Sequence, residues 1–344
     1  MGYTQEAPVT PSTAELKAQH GVSDAAQLAV LKTSEAVSDA LVDPGNRLVA
    51  IIGGSAMSEP GGRVIAEGAR ITRLSRKHAG LIALHRASVW KPRSNPEAWH
   101  GLETTDPAGA YATLASLAIE NTNVAIELAH DYHLARYGHM LSFGWFGSRS
   151  QDNQPFMHRI ARRDPKLPLG IKNGLDGSIG VALERVDDIN RLRTDIYKDR
   201  SRTCTQVAPA IMIFRGGEEI RTPRKWRSAY VRALEATEGR LIVDTAHGSE
   251  MAHDPEGEFG KTVEGQKRAL QTVLDVASEG YVPAGIMMEA SDIGVPNPEH
   301  RTGSPMPLDD ALEGAAALYE LKVPTPTPSP YAGVNRASSA MAAA

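Results

Sequence analysis

Eight short apolar runs recur along the chain, and stretches of helical pattern separate most of them. Continuous apolar strands that alternate with helices are typical of a parallel sheet covered on its faces. Eight such units in 344 residues predict a (β/α)8 barrel. The alternative is an open doubly wound sheet, but the nearest approach to its glycine-rich nucleotide motif, IIGGSAMSEPGG, lacks the required spacing. The runs are RLVAIIGGS (47–55), LIALHR (81–86), VAIEL (124–128), LSFGWFGSR (141–149), PLGIKN (168–173), AIMIFRGG (210–217), LIVDTAH (241–247) and AGIMMEAS (284–291).

The segments outside this repeat predict the domain organisation. Residues 1–46 are expected to form an N-terminal extension, disordered at first and then helical, before a catalytic barrel over 47–325. Residues 326–344 are a low-complexity tail rich in Pro, Ser and Ala. The segment 180–208 is highly charged, and we interpret it as an insertion between strands 5 and 6 that lies over the barrel mouth.

Composition excludes several classes of protein. The net charge of −4 argues against a nucleic-acid-binding protein, which would normally carry a basic excess. Cys204 is the only cysteine, so no internal disulfide can form, and a reducing compartment is expected. No apolar run is long enough to span a membrane. We therefore predict a cytoplasmic protein.

Charged side chains follow the apolar runs at the strand ends. In a (β/α)8 barrel these ends meet at one mouth, where active sites lie. Four cations from four strands would repel one another unless an anion lies among them, and guanidinium groups suit phosphate and carboxylate alike. A single arginine at a strand end is more often an ion-pair partner, but four together predict a site for a small ligand with more than one anionic group. The strand-end residues are Ser55, Arg86, Glu127, Arg149, Lys172, Arg215, His247 and Glu289, with Lys91 and Arg93 just beyond the second strand.

The last strands add groups of another kind. His247 and Glu289, with Asp309 and Asp310 further on, form an imidazole–carboxylate set that suits a divalent metal. An anionic ligand beside a divalent cation indicates phosphoryl or enol-phosphate chemistry. A second histidine cluster, HDYHLARYGHM (130–140), is interpreted as a solvated helix or loop.

Five ordered motifs resemble a known enzyme family. WKPRS, GIKNGLDGSIGVA, IFRGG, VDTAH and GIMMEAS are similar, in order and spacing, to segments of the type I 3-deoxy-D-arabino-heptulosonate-7-phosphate (DAHP) synthases. The resemblance runs from about residue 30 to residue 325. It implies a (β/α)8 barrel and a transferase that condenses phosphoenolpyruvate with erythrose 4-phosphate, the first step of the shikimate pathway of aromatic amino acid biosynthesis.

The resemblance also implies roles for individual residues. Arg86, Lys172 and Arg215 would hold the carboxylate region of phosphoenolpyruvate, and Arg149 with Lys172 would hold its phosphate. Lys91 would act on the aldehyde as a catalytic residue, and Arg93 and Ser94 would bind the acceptor's phosphate. His247, also a catalytic residue, would bind the metal together with Glu289 and Asp310.

The chain departs from the family pattern at the metal and acceptor sites. Ser55 replaces the family's cysteine ligand, so a divalent metal (Mn, Mg, Co or Zn) is expected to bind weakly or not at all. The loop SRSQDNQPF and the segment after strand 5 also differ from the family. We therefore predict either a DAHP synthase or a secondary-metabolism paralogue with another sugar-phosphate acceptor, acting as a homo-oligomer. The alternative is a non-catalytic, regulatory barrel that binds phosphoenolpyruvate without full metal-dependent activity.

Overall fold

Eight parallel strands close into a barrel, which confirms the predicted fold. The computed structural model describes residues 15, 18, 20–45, 47–53, 62–90, 103, 106–199, 207–220, 222–247, 263–291 and 306–322. Each strand pairs with its neighbours in sequence, and the first strand pairs with the last. The strands are β1 (Leu48–Ile52), β2 (Leu81–Ala87), β3 (Val124–Glu127), β4 (Phe143–Phe146), β5 (Leu169–Lys172), β6 (Ala210–Arg215), β7 (Leu241–Asp244) and β8 (Gly285–Met288).

Helices connect the strands and cover the outside of the barrel. Within the described ranges they are α1 (Asp24–Val42), α2 (Gly62–Lys77), α3 (Pro107–Ile119), α4 (Asp131–Tyr137), α5 (Gln154–Arg163), α6 (Gly180–Asp199), α7 (Pro223–Ala236), α8 (Val263–Ser278) and α9 (Leu308–Lys322), with a 3-10 turn at Gly138–Met140. None of the helices in these ranges is long and apolar enough to cross a membrane.

Helix α1 lies against the N-terminal end of the barrel. Its N-cap is Ser23, whose side chain accepts a hydrogen bond from the Ala26 N–H. Its Val37, Ala40 and Leu41 pack into the same apolar cluster as the inward side chains of the strands. The barrel is therefore closed at this end, and the opposite end is left for a ligand.

The inward side chains repeat every second residue along each strand. Their apolar members form one cluster and the outward ones, with the helices, form another. On β2, for example, Ile82 and Leu84 point inward while Leu81 and Ala83 point outward. The residue two positions after the last inward apolar residue of a strand therefore also points inward, and it lies at the mouth.

The described part of the charged segment after β5, residues 180–199, does not cover the mouth. From Gly180 to Asp199 it forms α6, which packs on α5 and on β5 and β6 as a connecting helix of the barrel. Arg193 of this helix is fully buried, and its guanidinium donates to the carbonyls of Ala208 (2.6 Å) and Leu167 (2.8 Å). Both carbonyls lie just before a strand, at the closed end. For residues 180–199 the interpretation as an insertion over the mouth was wrong, because α6 runs back away from the mouth, and residues 200–206 lie outside the described ranges.

Candidate active site

Six charged side chains occupy the inward positions at the open end of the barrel. Each follows an inward residue of its strand by two positions, as Arg86 follows Leu84 and Asp244 follows Ile242. Three of the six are cations and three are carboxylates. They are Arg86 on β2, Glu127 on β3, Lys172 on β5, Arg215 on β6, Asp244 on β7 and Glu289 just after β8.

Two of the predicted anion-binding cations have buried carboxylate partners. Arg86 Nη2 lies 3.0 Å from Glu289 Oε1, and Lys172 Nζ lies 2.5 Å from Asp244 Oδ2. The side chains of all four residues are at most 3% exposed. The ring of Trp145 lies below the pairs, with the Arg86 guanidinium carbon 5.5 Å from its centroid. The strand-end cations are therefore not an uncompensated cluster, which corrects one step of the sequence argument.

Burial shifts the pKa values of the Lys172–Asp244 pair. Desolvation lowers the pKa of the Lys172 ammonium, although Asp244 opposes that shift. Burial also acts to raise the pKa of the Asp244 carboxyl, but His247 and Lys172 outweigh it and hold the pKa well below its usual range. Asp244 is thus charged at neutral pH, and an anion that approaches Lys172 would favour its cationic form.

Arg149 and Arg215 lie beside each other at the mouth. Among the described residues, neither has a carboxylate within ion-pair distance. The Arg215 guanidinium instead donates to Ser148 Oγ (3.3 Å) and to the Gly216 carbonyl (3.0 Å). Burial lowers the pKa of Arg215, and the neighbouring charge of Arg149 adds to the shift. An anion between these two arginines would stabilise the charged form of Arg215 against both the burial and the repulsion from Arg149.

The backbone around Arg215 is held by one side chain. Asn173 Oδ1 accepts from the Arg215 N–H (2.6 Å), and Asn173 Nδ2 donates to the Arg215 carbonyl (3.2 Å). Asn173 is fully buried and directly follows Lys172. The end of β6 is therefore fixed to the end of β5 at the position where both cations project.

His247 lies between two carboxylates. Its Nδ1 is 2.8 Å from Asp244 Oδ2, and its Nε2 is 3.6 Å from Glu289 Oε1. A carboxylate on one ring nitrogen leaves the other for a metal or a substrate, as is common for metal-binding histidines. The main chain of Glu289 is held by Gln266, whose side-chain amide bonds both its N–H (3.3 Å) and its carbonyl (3.1 Å).

The third proposed metal ligand lies elsewhere. Asp310 is on α9, and its carboxylate is 2.7 Å from Lys267 Nζ. No group of three His, Cys, Asp or Glu side chains that could hold a metal occurs within the described parts of the chain. Of the three predicted ligands only His247 and Glu289 lie together, so the described residues do not by themselves form a complete divalent-metal site.

Several predicted site residues lie outside the described ranges. These are Ser55, Lys91, Arg93 and Ser94, so their predicted roles remain predictions. The sequence analysis missed Asp244, which contacts both Lys172 and His247. The sequence could have predicted this position, because Asp244 lies two residues after Ile242, which points inward, and within the motif VDTAH.

The second histidine cluster is also different from its interpretation. His133 is fully buried, and its Nε2 lies 3.1 Å from Glu103 Oε2. His139 Nε2 is 3.0 Å from the Tyr111 hydroxyl. The segment does contain a helix, α4, but its interpretation as solvated was wrong for His133, which is buried.

Comparisons with known proteins agree with this geometry. The sequence profile of the DAHP synthetase I family matches residues 28–302. The tyrosine-inhibited phospho-2-dehydro-3-deoxyheptonate aldolase of Schizosaccharomyces pombe is 23% identical over 309 residues, which cover 83% of this chain and 80% of the relative. The phenylalanine-inhibited enzyme of Saccharomyces cerevisiae is 24% identical over 317 residues, with the same coverage of 83% and 80%. A solved structure of phospho-2-dehydro-3-deoxyheptonate aldolase from Francisella tularensis has the same fold, with a TM-score of 0.70, 16% identity, and coverage of 93% of this chain and 98% of the other.

Proposed function

The chain belongs to the DAHP synthetase I family, and we propose that it condenses phosphoenolpyruvate with erythrose 4-phosphate or a similar sugar-phosphate aldehyde. The product would be a 3-deoxy-2-keto sugar acid phosphate, with inorganic phosphate released. This makes the protein a carbon–carbon-bond-forming transferase that acts at the start of aromatic amino acid biosynthesis. No observation on the described residues favours the non-catalytic alternative.

The observation that carries this proposal is the inward position of Arg86, Lys172 and Arg215 at the open end of a family barrel. Phosphoenolpyruvate has a carboxylate and a phosphate close together, and it requires cations from more than one side. Arg215 and the adjacent Arg149 have no carboxylate at ion-pair distance among the described residues, so they are the best-placed groups for the phosphate. Arg86 and Lys172 would then hold the carboxylate region.

Arg86 and Lys172 would orient the substrate, and they would still have carboxylate partners after it leaves. Glu289 compensates Arg86 and Asp244 compensates Lys172 in the free enzyme. An unpaired buried charge would destabilise the fold, so these carboxylates allow the site to exist before substrate binds. Electrostatic groups that are fixed in advance are also the ones that lower a barrier most, since they need no reorganisation during the reaction.

The chemistry requires charge control at both substrates. C3 of the enol phosphate attacks the aldehyde carbon, and the aldehyde oxygen gains a proton, for which Lys91 is the proposed donor. Water then adds at C2, and the C2–O bond to the phosphate breaks as inorganic phosphate leaves. Arg149, Lys172 and Arg215 would stabilise the charge of that leaving group.

The observed position of α6 changes which acceptor we propose. The cations of this helix lie on the barrel's flank, so they give no reason to expect a reshaped acceptor pocket. Arg93 and Ser94 remain the proposed binding residues for the acceptor's phosphate. We therefore propose erythrose 4-phosphate as the first acceptor to test. A cytoplasmic location and a homo-oligomeric state remain predictions.

The test is calorimetric titration with phosphoenolpyruvate, followed by measurement of phosphate release with erythrose 4-phosphate and with four- and five-carbon analogues. We expect saturable phosphoenolpyruvate binding and a kcat/KM for one aldehyde of about 10⁴ M⁻¹s⁻¹ or more. The test variant is Arg149→Met, at the mouth, and its matched control is Arg240→Met, at a surface arginine that pairs with Glu238. The first should abolish binding and the second should not. Absence of phosphoenolpyruvate binding in the unaltered protein would refute the proposal.

A further inference from the structure

One buried aromatic side chain lies directly beneath the charged layer at the mouth. Trp145, an inward residue of β4, is 1% exposed. Its ring centroid is 5.5 Å from Arg86 Cζ and 6.0 Å from Lys172 Nζ. A cation within about 6 Å of an aromatic ring is attracted to the electron-rich face, and the attraction increases when both groups are desolvated. The ring is therefore placed to stabilise two cations of the layer at once.

Trp145 differs from the residues at the equivalent positions of the other strands. On each of those strands, the last inward residue before the mouth has an aliphatic side chain, a methionine side chain or no side chain. These residues are Ile51, Leu84, Ala125, Gly170, Ile213, Ile242 and Met287. Packing alone does not require an aromatic residue at this position, so the ring adds an electrostatic contribution that the other seven residues cannot make.

The ring cannot move away from the cations towards β5. Trp145 pairs with Gly170 on that strand, where an added Cβ atom would overlap Ile213 Cδ1 and Phe143 Cζ. The space beside the ring is thus already filled by side chains of the barrel interior. Interiors packed at this density hold their side chains in single rotamers, so the ring presents a fixed surface to the layer.

Strand β4 adds no side chain at its next inward position. The residue there is Gly147, and an added Cβ atom would overlap Glu127 Oε1. The Glu127 carboxylate, together with Asp244, favours the cationic form of Lys172. The space at this level is therefore left to charged side chains of the neighbouring strands, while β4 supplies the ring below them.

We propose that Trp145 is a positioning residue of the donor site, whose ring is the floor that fixes Arg86 and Lys172 at the depth where they hold the carboxylate region of phosphoenolpyruvate. Glu289 and Asp244 pair with these two cations within the layer, and the ring supports them from below. The identity of the ligand rests on the proposed function. The contact between the ring and the cations belongs to the ligand-free protein and can be measured separately.

The test compares Trp145 with a second buried tryptophan. Trp226 of α7 is fully buried on the outside of the barrel, where its ring packs against Phe214 and Tyr230. Neither indole N–H has an acceptor among the described residues, so the two tryptophans match in burial and in hydrogen bonding. Each is changed to Phe, which keeps an aromatic face, and to Leu, which removes it. Phenylalanine is thus the conservative replacement at both positions.

Phosphoenolpyruvate affinity is measured by calorimetry and Tm by thermal unfolding for all four variants. Trp145→Leu should weaken binding on the order of tenfold, because the attraction of the ring to two cations is lost. Trp145→Phe should retain an affinity within about threefold of the unaltered protein. Trp226→Leu should lower Tm, as large-to-small changes in a core do, but it should leave the affinity within about twofold.

A double-mutant cycle measures the contact without any ligand. Trp145→Leu, Arg86→Met and the combined variant are unfolded with urea. The cost of leaving Glu289 without Arg86 occurs in the single and the double variant alike, so it cancels in the cycle. We expect a coupling of about fivefold in the unfolding equilibrium constant, and less than about twofold when Trp226→Leu replaces Trp145→Leu. If Arg86→Met does not fold, Lys172→Met provides the second cycle.

Two results would overturn the proposal. One is the absence of coupling between Trp145 and the cation, whatever the protein binds. The other is an equal loss of phosphoenolpyruvate affinity in Trp145→Leu and Trp145→Phe that follows Tm, which would indicate a packing role alone. Coupling in a protein that does not bind phosphoenolpyruvate would refute the proposed function and support the contact, so the two failures are distinguished.

Discussion

Replacement of Asp244 by Asn is the most informative single change at the mouth. Asp244 Oδ2 contacts Lys172 Nζ (2.5 Å) and His247 Nδ1 (2.8 Å), and Oδ1 accepts from the Ala246 N–H (2.9 Å). All of these contacts are buried, and Asp244 itself is fully so. Asparagine keeps the shape and one acceptor oxygen but loses the charge. The variant therefore tests whether the electrostatics of the pair, rather than its packing, support the site.

The size of the effect follows from the burial of the pair. Truncating one partner of a buried, hydrogen-bonded charge pair costs about 2–5 kcal/mol, much of it from the charge left behind. Because the asparagine oxygen can still accept one hydrogen bond, the lower part of that range applies. A loss of about 2.7 kcal/mol corresponds to a fall in kcat/KM of about 100-fold.

The pH dependence of phosphoenolpyruvate binding provides a second, independent test of Asp244→Asn. Lys172 must be cationic to hold an anion, and burial already lowers the pKa of its ammonium. Asp244 opposes that shift, so its neutralisation lowers the pKa further. Phosphoenolpyruvate binding, which is lost as pH rises through the pKa of Lys172, should then be lost at a lower pH in Asp244→Asn than in the unaltered protein.

The assay is phosphoenolpyruvate titration and steady-state turnover between pH 6 and 10. Asp309→Asn is the control, since Asp309 is 73% exposed and pairs with Arg70 on the surface, where such pairs contribute about 0–1 kcal/mol. An alkaline limit that does not move in Asp244→Asn, together with near-normal kcat/KM, would refute the role of this carboxylate.

Three further predictions concern metal, regulation and stability. Ser55→Cys should increase the affinity for Co²⁺ or Zn²⁺ at least tenfold by calorimetry, whereas tight stoichiometric metal in the unaltered protein would contradict the incomplete ligand set. Micromolar phenylalanine, tyrosine or tryptophan should not inhibit turnover, because this chain reads HLARY (133–137) after the third strand, where the resemblance places a Pro-Gln-Tyr segment in the regulated family members. Burial lowers the pKa of the Lys322 ammonium to about 7, so the unfolded chain binds more protons than the folded chain above that pH. The free energy of unfolding should therefore rise with pH between about 7 and the pKa of a lysine in the unfolded chain. Thermal unfolding should show a smaller rise in Lys322→Met.

The fold was predictable because the barrel leaves a local signal. Each strand is a short apolar run with a polar or charged residue near its end, and helix-forming segments separate most of the runs. Parallel strands buried on both faces produce this pattern whatever their partners are. The inward alternation by itself assigns Arg86, Lys172 and Arg215 to one layer of the barrel.

The charge pairing was not predictable in the same way. Arg86 and Glu289 are far apart in the sequence, and they meet only because β1 pairs with both β2 and β8. The burial of Arg193 could not be predicted for a related reason. A charged side chain in a charged helix is usually solvated, yet this one is buried by the carbonyls that precede β5 and β6.

The pairing also locates the anion more sharply than the cation count did. Arg86 and Lys172 are compensated before substrate arrives, so they orient a ligand more than they attract it. The charge of Arg149 adds to the burial that lowers the pKa of Arg215, and among the described residues neither arginine meets a carboxylate at ion-pair distance. A dianionic phosphate would gain most at that pair, while a monoanionic carboxylate is sufficient beside the compensated cations. A double variant of Arg149 and Arg215 should therefore lose inorganic phosphate binding altogether, whereas Arg86→Lys should retain it, and equal losses in the two would show that the layer binds anions without this division.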